Sequence, residues 1–423
     1  MSTLTPIQQR LTDRFFRYVR TESQSDASAT TVPSTESQWT FARLLVSELT
    51  NAGATNVHLS DTCVVTAKIP GTGKGPAIGF CSHLDTVDVN LSPTVNPQLT
   101  HFDGSDICLN AERDLWLRTA EHPELAAYKG EPIAHTDGTS VLGADDKAGV
   151  TAIMEAVTEL GGQAPQGDIY IAFVPDEEIG LRGVRTIDFD RFPVDYATTV
   201  DGGELGEVVE TTFNAATATI TIAGVSAHPM NAKGNLVNPI TLAMEFANQL
   251  NPQETPEHTK GREGFIWLNG IDGNQSTCTM QLSIRDHDRE GYEEKKQRLR
   301  ALASDLAAAN PRATITCDIE DVYANISDAK TPENSIGSER LHATMRRLGI
   351  EIKEIDMRGG TDGSWLSNQG VYTPNYFTGA HNFHSIYEFL PVPSLERCYE
   401  LTLALMRGCL LYTSDAADDI ALV

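Results

Sequence analysis

Apolar residues recur at helical spacing from the start of the chain: Ile7, Leu11, Phe15 and Tyr18 fall on one face. Thr5-Pro6-Ile7-Gln8 just ahead combines a capping-box pattern with proline at the first helical position, so an amphipathic helix is expected to begin there. A second helix is expected over residues 36–52, with Trp39, Ala42, Val46 and Leu49 inward and Gly53 as its stop signal. The rhythm then changes. Strand-like runs at 64–69 and 77–82 precede a helical stretch at 148–160 and the apolar run 169–174. Strands alternating with helices indicate an α/β fold, and runs without a polar alternate suggest strands buried on both faces.

From about residue 213 the pattern is different. Residues 217–222 alternate like a half-exposed strand, 236–250 read as helix, 264–269 and 277–285 as strands, 292–309 as helix and 313–319 as strand. That order is the split β-α-β-β-α-β unit. The first pattern then resumes: Thr331-Pro332 is expected to cap a helix, 351–357 to form a strand and 395–406 a closing helix. At 423 residues the chain exceeds one ordinary core. The expected architecture is therefore an α/β domain built from 1–212 and 328–408, with a mostly parallel sheet flanked by helices. A ferredoxin-like βαββαβ domain is inserted over 213–327. Pro70-Gly71-Thr72-Gly73-Lys74-Gly75 imitates a phosphate loop but has Ile69 where glycine is required and Gly75 where Ser or Thr is required, so it reads as a strand-to-strand turn.

Composition narrows the partners. A formal charge of -26 and a pI near 4.7 argue against nucleic acid and anionic lipid, both of which need clustered Lys and Arg. The first residues carry neither a basic nor an apolar leader pattern, and no apolar run approaches a membrane span, so a cytoplasmic protein is expected. Cys63, Cys81, Cys108, Cys278, Cys317, Cys398 and Cys409 lack C-x-x-C spacing and read as reduced, mostly buried small hydrophobes. The stretch 409–418 back-translates into a common sequencing-adapter end, and 409–423 is expected to be read-through, with a frayed natural tail as the alternative.

Five segments carry candidate chemistry. Ser82-His83-Leu84-Asp85 ends an apolar strand, where positions two apart face the same way. Such a pair serves a metal-bound histidine and its orienting carboxylate, or equally a structural hydrogen bond. Leu142-Gly143-Ala144-Asp145-Asp146-Lys147 places two acids at a helix start, where capping needs only one. Pro175-Asp176-Glu177-Glu178 sets three carboxylates directly after a buried strand, the end at which α/β proteins place their sites. Asp201-Gly202-Gly203 is an acid beside glycines, and His381-Asn382-Phe383-His384 is followed by Glu388. Together these supply imidazole and carboxylate ligands for two divalent metals. Nitrogen and oxygen donors without thiolate suit zinc, with cobalt or manganese as substitutes.

The set H-L-D, G-A-D-D-K-A-G, P-D-E-E-x-G, V-D-G-G, F-N-A, R-D-x-D-R, R-G-G-T-D-G and F-T-G-x-x-N-x-H, in this order over residues 5–408, resembles the peptidase T family. These are tripeptide aminopeptidases in the clan of aminoacylases and dinuclear zinc carboxypeptidases. The resemblance implies two Zn²⁺ per subunit: His83 and Asp201 on one, Glu178 and His384 on the other, Asp145 bridging. It implies that Asp85 orients the His83 side, that Glu177 is the general acid/base, and that the Asp145–Asp146 peptide is cis. It also implies that the inserted domain is a lid and dimerisation domain, giving a homodimer that acts on short peptides. His228 of Ser226-Ala227-His228-Pro229 matches a histidine that reaches the other subunit's site as an oxyanion donor. Arg285 and Arg358 are candidates for the peptide's carboxylate, or for pairing with nearby acids. A related dipeptidase, carboxypeptidase or N-deacylase on the same scaffold is the alternative enzyme. A metal-binding relative without activity is the alternative from another class, and Glu177 argues against it.

Overall fold

The computed structural model describes residues 4–408; the expected read-through at 409–423 lies outside them. In chain order the elements are α1 (Pro6–Arg20), α2 (Glu36–Asn51), β1 (Thr55–Leu59), β2 (Val65–Ile69), β3 (Ile78–His83), β4 (Gln98–His101), β5 (Ile107–Asn110), β6 (Leu115–Leu117), β7 (Pro132–His135), α3 (Ala144–Leu160), β8 (Ile169–Val174), β9 (Tyr196–Gly202) and β10 (Glu207–Thr211). They continue with β11 (Asn214–Ala223), α4 (Pro239–Ala247), β12 (Phe265–Gly273), β13 (Thr277–Asp286), α5 (Arg289–Ala309) and β14 (Thr314–Tyr323). The last are α6 (Ile336–Arg347), β15 (Lys353–Asp356), α7 (Asp362–Asn368), β16 (Asn375–Phe377), β17 (Phe389–Pro391) and α8 (Val392–Gly408).

The chain forms two compact units: one from the described residues up to Glu210, Lys330–Ile355 and those from Thr361 onward, the other from Thr211–Ala329 and Asp356–Gly360. The first unit is built on an eight-stranded sheet in the order β1-β2-β8-β3-β9-β16-β10-β15. Its centre, β8-β3-β9-β16, is parallel, whereas β2 on β8, β1 on β2 and β10 on β16 are antiparallel. The sheet is thus mixed, and the expected "mostly parallel" arrangement holds only for its middle. All six residues of β3 and of β8 are buried, as their unbroken apolar runs require. Helices α1, α3 and α8 pack on one another, with α3 against β3 and β9, and α7 also packs on β3 and β9. β17-β7-β4 and the β5-β6 hairpin share a smaller core around Phe102, Leu125, Tyr128 and Phe389.

In the second unit a four-stranded antiparallel sheet in the order β12-β13-β11-β14 packs its inward residues, Ala216, Ala218, Ile220 and Ile222 among them, against α4 and α5. That strand order is the ferredoxin-like one.

Local signals were accurate where they were chemical. The Thr5 hydroxyl and the Gln8 side chain form the expected reciprocal cap. By contrast, Thr331 closes a turn on Asn334, and the helix starts only at Ile336. Among the described residues no helix is long and apolar enough to cross a membrane. Phe80 is fully enclosed at the centre of the large sheet. Phe80→Ala is therefore expected to cost about 3–5 kcal/mol, read as a lowered denaturant midpoint of unfolding.

Candidate metal centre

Parallel strands that lie side by side bring their carboxyl ends to one edge, where α/β folds place their sites. Here β8, β3 and β9 do so, with His83 of β3 opposite Val174 of β8. His83 closes β3, Asp85 follows two residues on, Asp176 to Glu178 follow β8, and Asp201 is the penultimate residue of β9. Asp145 enters from the start of α3, where Asp145 and Asp146 depart from helical backbone and the peptide between them is cis, as expected. Gly149 allows α3 to approach: a Cβ there would stand 2.0 Å from the Val200 carbonyl oxygen. His384, with φ +60°, comes from the loop between β16 and β17.

The side chains converge. His83 Nε2 lies 2.9 Å from Asp145 Oδ1 and 3.6 Å from Asp201 Oδ1. His384 Nε2 lies 3.1 Å from Asp145 Oδ2 and 3.0 Å from Glu178 Oε1. Asp145 therefore turns one oxygen toward each imidazole. Two overlapping sets have donor atoms close enough to share an ion: His83 with Asp145 and Glu178, and His83 with Asp146 and Asp201.

The surrounding groups hold these donors still. His83 Nδ1 lies 3.0 Å from the Asp85 carbonyl oxygen, which orients the ring and directs Nε2 toward the acids. The Asp85 carboxylate accepts from the amides of Glu177 and Glu178, at 3.0 and 3.3 Å, so Asp85 also fixes the segment after β8. Asp176, with φ +57°, takes a different part from its two neighbours: its carboxylate accepts from the Ser34 amide and hydroxyl and from the Gln38 side chain. It anchors the turn. Asp146 accepts from the Ser82 hydroxyl and the His83 amide, which ties the start of α3 to β3. His381 bonds the Tyr128 hydroxyl at 2.7 Å and stacks on Phe389, so it serves the loop while His384 faces the acids.

Charge shows what the cluster lacks. Eight carboxyl groups, those of Asp85, Asp145, Asp146, Glu177, Glu178, Asp201, Asp362 and Glu388, gather around His83, His384 and the buried Lys147. Burial, reinforced by neighbouring carboxylates, pushes Asp146, Glu177 and Asp362 well above the usual carboxyl range. The same causes bring Glu178 to about 7 and Asp201 to about 6. Hydrogen bonds to Asp145 and Glu178 raise His384 to about 10. Burial alone would raise Asp145 too, but hydrogen bonds from His384 and His83 outweigh it and hold that carboxyl low. Buried acids in such excess are stable as anions only beside added positive charge. Asp146 Oδ1 is buried without a hydrogen-bond donor, and Glu178 Oε1 has the His384 ring beside it. The donor set and its charge deficit fit divalent cations.

Of the candidates read from sequence, the structure brings His83, Asp85, Asp145, Glu177, Glu178, Asp201 and His384 into this cluster. His228, Arg285 and Arg358 belong to the second unit. His228 is exposed, and its Nδ1 accepts from the Met230 amide. Arg285 donates to the carbonyls of Ala216 and Ile284 and lies over Tyr323. Arg358 donates to the Gly261 and Glu263 carbonyls and the Thr259 hydroxyl, over the rings of Phe213 and Phe265. The pairing with nearby acids foreseen for these arginines is replaced by pairing with backbone oxygens. Asp362 was overlooked: it follows a capping threonine, Thr361, and in sequence it is only part of a motif.

Two families match parts of the chain: the M20 peptidase dimerisation domain at residues 211–311 and the M42 glutamyl aminopeptidases at 126–234. The chain is 50% identical over 402 residues to a peptidase T-like protein of Yersinia pestis, covering 94% of this chain and 97% of that one. It is 43% identical over 406 residues to peptidase T of Geobacillus kaustophilus, covering 95% and 98%. Among solved structures it is similar to a tripeptidase from Staphylococcus aureus, with a TM-score of 0.74, 19% identity and 95% and 98% of the two chains covered. The aminopeptidase PepT of Bacillus cereus gives 0.72, 21%, 95% and 99%. At these identities the two structures speak to the fold alone.

Proposed function

The chain belongs to the peptidase T family, and we propose that it removes the N-terminal residue from tripeptides at a centre of two zinc ions. The observation that carries this is Asp145, whose two oxygens face His83 and His384 separately. In this reading His83, Asp145 and Asp201 hold one ion, and Asp145, Glu178 and His384 the other. When bound, such a pair makes a water nucleophilic near neutral pH and polarises the scissile carbonyl.

The chain's own groups do the rest. Glu177 keeps some contact with solvent yet lies deep among protein atoms, and among the described residues its carboxylate accepts no hydrogen bond. It is free to take the water's proton and later to deliver it to the departing amine. Burial raises its proton affinity above that of an ordinary carboxylate, the direction a general base requires. Asp85 holds the Glu177 amide on one side and His83 on the other, so base and ligand keep a fixed spacing. The surplus of acid also favours a substrate bearing a free α-ammonium group. The match of residues 211–311 to a dimerisation domain supports a homodimer formed through the second unit.

The test is substrate choice. A tripeptide with a free α-amine is expected to be cleaved at its first peptide bond, faster than its N-acetyl form and faster than matched di- and tetrapeptides. Acetylation removes the charge that the acids recognise and displaces the carbonyl from its line of attack. Equal turnover of the N-acylated peptide would replace this reading with that of a deacylase.

A further inference from the structure

We propose that Glu388 is a positioning residue of the metal centre, a carboxylate latch that holds the segments carrying Asp145 and His384 in register. The inference rests on the two-ion reading above and extends it to a side chain with no ligand role.

Three backbone amides converge on this one carboxylate. Oε2 accepts from Gly143 at 2.9 Å, and Oε1 accepts from Ala144 at 2.8 Å and from Asp145 at 3.2 Å. Glu388 is 1% exposed, so water does not compete for these bonds. An enclosed amide without an acceptor is costly, and this one carboxylate satisfies three of them. At the starts of α1, α4, α5 and α7 the acceptor comes from the adjoining residue, Thr5, Asn238, Asp288 and Thr361 in turn. α3 has no such cap, because Gly143 stands at the position and offers no side chain. The acceptor comes instead from 243 residues further along the chain.

That distance separates a latch from an ordinary cap. Glu388 is four residues past His384 and immediately precedes β17, which pairs with β7 and is bridged to His381. Asn382 is tied to Glu124 at 2.8 Å. The His384 loop is thereby fixed to the small sheet at both ends, and Glu388 joins it to the amide of Asp145. Asp145 must face His83 and His384 with different oxygens, at 2.9 and 3.1 Å. A backbone shift of about an ångström would therefore disturb ligands of both ions at once. A glutamine side chain in place of Glu388 would offer one acceptor oxygen and turn an N–H toward the helix start. An aspartate side chain would keep the charge but fall one methylene short.

The experiment is a titration of metal-free protein with cobalt(II) chloride, followed by its visible absorption, for wild type, Glu388→Gln and Glu388→Asp, with circular dichroism and thermal unfolding alongside. The wild type is expected to take up two equivalents. Glu388→Gln is expected to stay folded and to bind the second equivalent about 10–100-fold more weakly, with an altered spectrum. If Glu388→Gln does not fold, Glu388→Asp decides, and it is expected to fold and to loosen the second equivalent to a smaller degree. Two equivalents bound with wild-type affinity and spectrum by the folded variant would overturn the latch, whatever its change in stability. Fewer than two equivalents in the wild type would instead overturn the two-ion reading.

Discussion

Glu177→Gln is expected to keep its full complement of metal and to cleave the tripeptide roughly 10²–10⁴-fold more slowly. The amide preserves the shape of the side chain, and the backbone N–H of residue 177 keeps its bond to Asp85. Neither set of donors close enough to share an ion includes Glu177, so the cations have no reason to leave. What is lost is a group able to accept a proton. In a site this rich in buried acid the loss is not made good by a neighbour, because Asp85 is engaged by amides and Asp145 faces two imidazoles. Metal analysis beside the steady-state rate checks both halves of the statement. A near-normal rate would assign the proton transfer to another residue.

Asp145→Ala is expected to lose both ions and to fall to the activity of the metal-free protein. Charge is lost there as well as contact. Asp145 is held below the usual carboxyl range despite its burial, because His384 and His83 both bond to it. Removing it leaves His83 with Asp201, and His384 with Glu178, each short of one oxygen donor. It also removes the shared anion that would offset repulsion between two adjacent divalent cations. The backbone that holds residue 145 does not depend on its carboxylate, so the variant should fold. One tightly held ion per chain in Asp145→Ala would remove the bridging role.

How much could be read in advance depended on whether the signal was local. The cap at Thr5, the two fully buried strands β3 and β8, and the acids at strand ends all announce themselves within a few residues. The inward face of α2 did so in part: Ala42 and Leu49 are fully enclosed, and Trp39 and Val46 pack against the same core. Trp39 and Val46 are half-buried, whereas Gln38, Phe41 and Leu45 are fully enclosed. Gln38 is inside because it bonds Asp176, and a buried amide does not register in hydrophobic periodicity, so the real stripe is wider than the expected one. The β17-β7-β4 sheet was missed for a related reason: its strands are three or four residues long and meet from distant parts of the chain.

At the centre itself, spacing gathered the donors but could not divide their labour. Three successive acids, Asp176, Glu177 and Glu178, look alike in sequence. The left-handed backbone at Asp176 turns one of them toward Ser34 and Gln38 and away from the task of the other two. In the same way His381 and His384 differ in sequence only by position, and it is Tyr128 and Phe389 that take up the first. The arginines named as candidates for bidentate pairing with the substrate's carboxylate each donate to backbone carbonyls within the second unit.

The central claim is that one carboxylate organises two ions. Anomalous diffraction at the zinc absorption edge, from crystals of the zinc-loaded protein, tests it most directly. The account predicts two peaks, one among His83, Asp145 and Asp201 and the other among Asp145, Glu178 and His384. A single peak, or a pair that does not share Asp145, would contradict it.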